Sequence, residues 1–424
     1  MLIRATFAAI GIVIAAVILT MVLPKGASSS IGSVSLPPPY ATPSVYNWPQ
    51  GIPQPDSAKL NVPTGFRVDP YADHFLLPRY MIQGRSGELL VADSVPKPGG
   101  RVSVLITKGE GLKVAGRKIL ISGLDLPYGM AFWKDYLYVA EVESVKRYRY
   151  DPQSMTAGAG EEVISLKGLR DWHWTRTLLF DREGKKLYVA VGSGSNSALG
   201  EDPRRAAINR YNPDGTGHEI YASGVRNPVG LRWYPGTDTL WATVQERDDM
   251  GDELVPDFFT HIQPGGFYGW PYAYIGPHED PRNAGIRRMR HPLLWLETAF
   301  SVPELVRGTI VPDVLLGSHV APLDAVFYTG KQFPAEYQGG AFVAFHGSVN
   351  RAKRVGYSVA FIPFRNGRPT GEMRSFLTGW MLSPDKPEVW GRPVGLLELS
   401  DGSLLVSDDG GRKLWRISYE GTRN

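Results

Sequence analysis

Gly87-Glu88-Leu89-Leu90-Val91-Ala92-Asp93 decides the fold, because the chain writes this pattern six times. A turn residue opens it, an apolar β-rich triplet follows, and a small or acidic residue often closes it. It returns at Asp135-Tyr136-Leu137-Tyr138-Val139-Ala140-Glu141, Gly184-Lys185-Lys186-Leu187-Tyr188-Val189 and Asp238-Thr239-Leu240-Trp241-Ala242. Gly340-Ala341-Phe342-Val343-Ala344 and Gly402-Ser403-Leu404-Leu405-Val406-Ser407-Asp408 complete the set. About eight to twelve residues before most copies stands a Pro followed by an apolar strand, as in Leu126-Pro127-Tyr128-Gly129-Met130 and Asn227-Pro228-Val229-Gly230-Leu231. Pro322-Leu323-Asp324 and Arg392-Pro393-Val394-Gly395 repeat it, and Leu77-Pro78-Arg79 is a partial version. Strand, turn, strand at a spacing of about 50 residues is the signature of a β-propeller blade.

The expected fold is therefore all-β: a six-bladed β-propeller of four-stranded antiparallel blades around a central channel, spanning residues 61–421. Copies four and five stand about 100 residues apart. That gap predicts either a large insertion or a degenerate blade, with seven blades as the alternative count. Propellers host enzymes, lectins and docking modules alike, so function must come from what the loops carry into the channel.

Composition narrows the classes. The 424 residues include 48 Gly, 34 Pro and 11 Trp with 21% charged residues, which suits a folded, turn-rich protein. A net charge of +4 with no Lys/Arg block gives no phosphate-tracking surface, so nucleic acid is not an expected partner. The chain has no cysteine, which removes disulfides, zinc-thiolate and iron–sulfur sites, and the C-x-x-C-H haem attachment. Electrons leaving such a protein need a separate carrier.

Arg4 precedes an uncharged, mostly apolar run from Ala5 to Leu23, and Lys25 follows it. As a helix the run is roughly 28 Å long, enough to span a bilayer. Residues 1–29 are read as a signal peptide or a retained membrane anchor; either exports the remainder, and the membrane is met only through this segment. The Pro/Ser-rich stretch 30–60 reads as a linker or an extended strap.

Several short segments could carry chemistry. In Arg170-Asp171-Trp172-His173-Trp174-Thr175-Arg176, a His two residues after an Asp can be oriented by that carboxylate and act as a general base; a His between two Trp is equally a packed residue. Arg226 and Asn227, just before Pro228, can present a bidentate cation and an amide to one planar acceptor. Glu246 to Glu253 packs five carboxylates into eight residues around Gly251, hard oxygen donors that suit Ca²⁺ or simply make a solvated loop. Gly265-Gly266-Phe267-Tyr268-Gly269-Trp270-Pro271-Tyr272 offers flat surfaces beside a tight backbone, for a planar ligand or as a compact plug.

Taken together and in this order, these segments resemble the soluble pyrroloquinoline quinone (PQQ)-dependent glucose and aldose dehydrogenases. The likeness is closer still to the L-sorbosone dehydrogenase-like group. The resembling residues are HWTR at 173–176, GVRNPVGL at 224–231, ERDDMGDEL at 246–254 and GGFYGWPY at 265–272. SHVAPL at 318–323, HGSVNR at 346–351, GRPVG at 391–395 and VSDDGG at 406–411 complete them. The likeness runs from about Pro63 to Tyr419.

The resemblance implies a PQQ- and Ca²⁺-dependent dehydrogenase acting on an aldose, a sorbosone-like sugar aldehyde or a related alcohol. Its base would be His173, with Arg226 and Asn227 at the quinone oxygens. Arg226 would also stabilise charge that develops there during reaction. Arg392 and Arg351 would meet the PQQ carboxylates. One Ca²⁺ would bind the carbonyls of Arg247 and Asp248, and a second Glu253, Asp252 and the Tyr268 carbonyl. Two departures stand out: Arg247-Asp248 replaces a Gly-Pro of the glucose-type enzymes, and Val349 stands where the sorbosone-like group usually has Trp. An external acceptor, a cytochrome or a membrane quinone, would take the electrons, with the protein periplasmic and tethered by residues 5–23 or released. The competing readings are a non-catalytic exported propeller that binds carbohydrate or a protein, and a calcium-dependent lactonase.

Overall fold

The computed structural model describes residues 35–108, 113–284 and 302–421. The apolar run at Ala5–Leu23, expected as a helix, lies outside them; among the described residues no helix is long and apolar enough to cross a membrane.

Six sheets follow in chain order, each antiparallel through four strands. Blade 1 runs Pro78–Gln83, Leu89–Asp93, Gly100–Lys108, Lys113–Leu124; blade 2 runs Met130–Trp133, Tyr136–Glu141, Ser144–Asp151, Thr156–Ser165. Blade 3 runs Leu178–Phe180, Leu187–Val191, Ala207–Tyr211, Glu219–Ser223; blade 4 runs Asn227–Trp233, Leu240–Gln245, Pro256–His261, Val314–Ser318. Blade 5 runs Pro322–Phe327, Ala341–Phe345, Ser358–Ile362, Arg374–Leu377. Blade 6 takes Pro393–Glu398, Leu404–Asp408 and Lys413–Tyr419 from the C-terminal end, and its outer strand, Phe66–Ala72, from the N-terminal end. This pairing closes the ring without a free edge between the chain ends. Phe66 pins it, with ring centroids 4.8 Å from Phe333 and 4.9 Å from Tyr419.

Each copy of the repeat is the second strand of a blade. These strands are buried on both faces, as in Leu89–Asp93 and Leu404–Asp408, because neighbouring blades cover them. That explains runs of apolar residues in place of alternation. The Pro-led elements are the first strands, which touch one another around the channel in a closed ring of six. Pro78, Pro322 and Pro393 each open a strand and Pro228 stands second in one, and in all four the register shifts within the next three residues. Glycine appears where one inner strand crosses the next: a Cβ on Gly395 would stand 2.2 Å from the Arg79 carbonyl oxygen, and on Gly129 2.4 Å from that of Arg176. At the rim, Lys113–Leu124 alternates exposed and half-buried residues and carries Lys113, Arg117 and Lys118, charges that blunt an open edge.

The long gap is an insertion and not a seventh blade. Residues 262–313 leave blade 4 after its third strand and return for the fourth. On the way Gly266–Phe267 adds a fifth, parallel strand to blade 3 beside Ala222–Ser223. The hairpin Ala273–Tyr274/His278–Glu279 and the helix Val302–Arg307 follow. The Pro-rich stretch is a strap from residue 35 onward. Gln50–Gly51 pairs in parallel with Glu388–Val389, and isolated bridges join Tyr46 to Asn350 and Asn61 to Thr378.

Candidate active site

A cavity of about 340 Å³ opens at one end of the channel, within the range of small-molecule sites. His173, Arg226 and Asp248 line it, together with Asn196, Gln245, Glu246, Asp257, His319 and Val349. Tyr46 and Trp48 of the strap, and Trp172, stand in the same lining.

His173 follows the last turn before blade 3. Its Nδ1 lies 2.8 Å from the Ser193 carbonyl oxygen and 3.1 Å from Ser193 Oγ. A carbonyl can only accept, so Nδ1 carries the proton and Nε2 keeps its lone pair. Burial, helped by the Arg226 cation, pulls the imidazole down to about 3, so the ring is neutral at ordinary pH. The orientation expected from Asp171 is not found. Asp171 Oδ1 instead accepts the Trp172 backbone N–H at 2.9 Å, and its other oxygen faces Arg205 at 4.0 Å. A short carboxylate two residues away caps its own turn, and the orienting group comes from the neighbouring strand end. Behind the ring, fully buried Arg176 donates to the carbonyls of His173 at 2.7 Å, Thr175 at 2.8 Å, and Leu169.

Each guanidinium nitrogen of Arg226 meets an oxygen acceptor: Nη1 the Glu246 carbonyl at 2.6 Å, Nε the Asn196 carbonyl at 3.2 Å and Nη2 Asn196 Oδ1 at 3.1 Å. Its burial pulls the guanidinium below its ordinary value. Asn227 lies just beneath, donating to Gln245 Oε1 at 3.0 Å while its own Oδ1 is buried with no hydrogen-bond partner. Asn196, which the sequence did not single out, ties the two walls together, since its Nδ2 donates to the Asp248 carbonyl at 3.0 Å.

The opposite electrostatics hold at His319. Its Nδ1 is 3.1 Å from Asp248 Oδ1 and its Nε2 is 3.0 Å from the Gly251 carbonyl, so both nitrogens face acceptors. Burial lowers this imidazole, but the Asp248 hydrogen bond and the Gly251 carbonyl outweigh it and the net shift is upward. Asp248 would be raised by burial, yet His319 and Arg226 hold it below its usual range. Asp257, accepting from the Glu246 and Ala321 N–H groups, is pushed up by burial to about 7.

The other expected residues divide. Arg392 is absent from the cavity lining but next to it, donating Nε to the His346 carbonyl at 3.1 Å and Nη2 to the carbonyl of Gly347, a lining residue, at 3.4 Å, and lying over the Tyr357 ring. Beside it Asp409 links His346 at 3.0 Å to Arg79 at 2.6 Å. Arg351 turns instead to the acidic loop, where it pairs with Glu253 and donates to the Asp252 carbonyl. Arg247 is fully buried between Glu246 at 2.9 Å and Asp280 at 2.7 Å and donates to the Ala273 carbonyl at 2.6 Å, which fastens the insertion to blade 4. The Asp248 carbonyl also accepts from Arg282 at 3.1 Å. Tyr268 is buried in the core with its hydroxyl on the His261 carbonyl, so GGFYGWPY is a plug and not a ligand face. The acidic loop disperses its carboxylates: among the described residues no three His, Asp or Glu side chains converge as a metal cluster.

A closed six-bladed propeller with an axial pocket built from an ordered neutral histidine, a buried arginine and carboxylates defines the class. The chain belongs to the TrAA12-like family, whose model matches residues 60–420. It is 28% identical over 388 residues to an uncharacterized protein of Borreliella burgdorferi, covering 86% of this chain and 92% of that one. It is 25% identical over 422 residues to the pyrroloquinoline quinone-dependent pyranose dehydrogenase of Coprinopsis cinerea, covering 85% of this chain but 54% of that protein, about half its length. Among solved structures, the holo PQQ domain of the Coprinopsis cinerea pyranose dehydrogenase matches with a TM-score of 0.69 at 22% identity, over 86% of this chain and 98% of that one. The calcium structure of the Trichoderma reesei family AA12 enzyme matches with 0.67 at 22%, over 88% and 98%.

Proposed function

We propose that this protein is a PQQ- and Ca²⁺-dependent dehydrogenase that oxidises an aldose, a sorbosone-type sugar aldehyde or a related alcohol. The observation that carries the reading is the fixed tautomer of His173: a neutral imidazole with its free nitrogen in the same cavity as Arg226. The relative from Coprinopsis cinerea, a PQQ-dependent pyranose dehydrogenase by name, and the family membership support the same choice.

The residues present fit the cofactors. PQQ is planar and carries three carboxylates; Arg226 lines the cavity, and Arg392 stands behind Gly347 of the same lining, with Arg79 beyond it on Asp409. Arg79 Nε and Asn227 Oδ1 are buried without hydrogen-bond partners, orphans close to these cations that call for a further partner. For Ca²⁺, Glu246 Oε1 is a buried carboxylate oxygen with no partner, beside Asp248 in the cavity lining. Arg226, Asn227 and Arg392 would hold PQQ, and Glu246 with the Asp248 segment the ion. PQQ bound with Ca²⁺ supplies a quinone that accepts hydride from the substrate carbon.

His173 takes the substrate hydroxyl proton at Nε2 as the carbon–oxygen bond becomes a carbonyl. Ser193 keeps the ring in the accepting tautomer throughout. Arg226 presents positive charge where negative charge grows, from a pocket that has largely excluded water. Electrons then leave to an external cytochrome or quinone, since the chain has no cysteine for a c-type haem. Residues 5–23 export the protein to the periplasm as a cleaved signal or a tether.

The test is a titration of the exported part with PQQ and Ca²⁺, read as quinone absorbance and as dye reduction with a panel of sugars and sorbosone. Saturable binding and sugar-dependent reduction are expected. Absence of PQQ binding in the presence of Ca²⁺ would overturn the proposal.

A further inference from the structure

Three large aromatic side chains stand in water around the cavity: Trp172 is 80% exposed, Trp48 59% and Tyr46 52%. All three line the cavity that holds His173. Isolated surface aromatics need no explanation, but a cluster at a pocket marks a binding surface. Here the strap is built to present two of them. In extended chain, side chains two residues apart point to the same side. Tyr46 and Trp48 do so with rings nearly parallel, at 17° and 6.3 Å between centroids.

Between them the backbone is pinned. Asn47 N–H donates to the Val349 carbonyl at 2.7 Å, and Asn47 Nδ2 to the Ala352 carbonyl at 2.9 Å. Arg354, itself fully buried, donates to Asn47 Oδ1 at 2.6 Å and to the carbonyls of Asn47 and Trp48 at 3.0 and 2.8 Å. A buried guanidinium is thus committed to holding a surface segment whose two aromatic rings remain wet. The Tyr46 hydroxyl donates to Asp249 Oδ2 at 3.2 Å, which fixes its ring.

We infer that Tyr46 and Trp48 form a preformed saccharide subsite, which holds a second sugar ring while the terminal ring is presented to His173. The apolar C–H face of a pyranose covers aromatic carbon, and its hydroxyl edge needs acceptors and donors close by. Asp249, Asn196 and Gln245 supply those beside the rings. These groups are already bonded within the protein, but a carboxylate and amide oxygens keep acceptor capacity that sugar hydroxyls can use and an apolar partner cannot. Val349 in the same lining is small, which leaves room beside the strap for a ring. The substrate class is therefore a di- or oligosaccharide with a free oxidisable end, in preference to a single hexose. The inference rests on the dehydrogenase reading only for which ring reacts; the subsite itself does not require the cofactor.

The experiment is calorimetric titration of the full chain, without and with PQQ and Ca²⁺, against glucose, cellobiose, cellotetraose and maltotetraose. Trp48→Ala, Tyr46→Ala and Tyr40→Ala are compared, each checked for an unchanged melting temperature. Tyr40 is exposed on the same strap but outside the cavity lining, so Tyr40→Ala should bind as the parent does. At least one tetrasaccharide should bind the parent more tightly than glucose. Trp48→Ala should weaken that binding by at least about tenfold, and Tyr46→Ala by somewhat less. Tetrasaccharide binding that survives Trp48→Ala, or no preference for the longer sugars in the parent, would overturn the subsite. Trp48-dependent glycan binding without any PQQ binding would keep the subsite and remove the dehydrogenase, so the two failures are separable.

Discussion

The two walls of the cavity each carry a histidine, and their partners make them opposite reagents. On the blade 3 wall His173 meets a carbonyl and a hydroxyl at one nitrogen only, so it stays neutral with a free lone pair. On the other wall His319 is gripped at both nitrogens, by a carboxylate and a carbonyl, and its pKa rises. Burial acts downward on both rings, so burial cannot be what separates them. What separates them is the neighbour of each ring: the Arg226 cation lowers His173 further, whereas the Asp248 carboxylate and the Gly251 carbonyl raise His319. The difference leaves His173 with a nitrogen free to accept a proton, the role proposed for it, while both nitrogens of His319 are engaged, one of them on Asp248.

The largest effect should come from breaking the base. His173→Ala should lower kcat about 10²–10⁴-fold in steady-state dye reduction while PQQ binding persists. Arg226→Lys keeps a charge but loses the fork that spans Glu246 and Asn196, and should cost about 10²-fold or more in kcat. On the other wall Asp248→Asn removes the charge that raises His319; the His319 ring should then titrate lower in NMR, and kcat/KM should fall by about tenfold through misplacement of Arg226.

Acidity sharpens the comparison more gently. Since His173 sits near 3, kcat/KM should show no inflection from this ring between pH 5 and 9. His346, pulled down to about 4 by burial and the Arg392 charge against the opposing pull of Asp409, should register in stability instead. Between its ordinary value of 6.5 and 4 the unfolded chain binds a proton that the native chain does not. Stability is thus fully present above 6.5 and is lost as pH falls, with a slope of up to about 1.4 kcal/mol per pH unit. His346→Gln should flatten that slope in denaturant titrations between pH 6.5 and 4.

The blades were legible because burial on both faces leaves a strand almost no choice of residue. Leu89–Asp93 and its five counterparts are therefore written nearly alike. The segments of His173 and Arg226 stood out as motifs just ahead of the first strands of blades 3 and 4, whereas Asp248 was expected through its carbonyl and its side chain lines the cavity. The acidic loop was harder. Its density of carboxylates suggested convergence, but Arg247, Arg282 and Arg351, from sequence positions up to about a hundred residues apart, draw the carbonyls and carboxylates in different directions. Long cations take the nearest oxygen, and which one is nearest is a fact of tertiary structure. Ser193 hid in the Gly192–Asn196 turn, whose composition signals only a loop; it acts through its carbonyl, which any residue could supply. Tyr46 and Trp48 were passed over because a Pro-rich segment reads as a connector until its pairing with Glu388–Val389 is seen.

The most direct test follows the hydride and the proton together. Protein reconstituted with PQQ and Ca²⁺ is given an oxidisable sugar substrate bearing hydrogen or deuterium at its reacting carbon, and single-turnover reduction of the quinone is timed for the parent and His173→Ala. The account predicts slower reduction with deuterium in the parent and almost no reduction in the variant, with PQQ still bound. Reduction by His173→Ala at the parental rate would contradict the assignment of the base, and with it the central reading of the cavity.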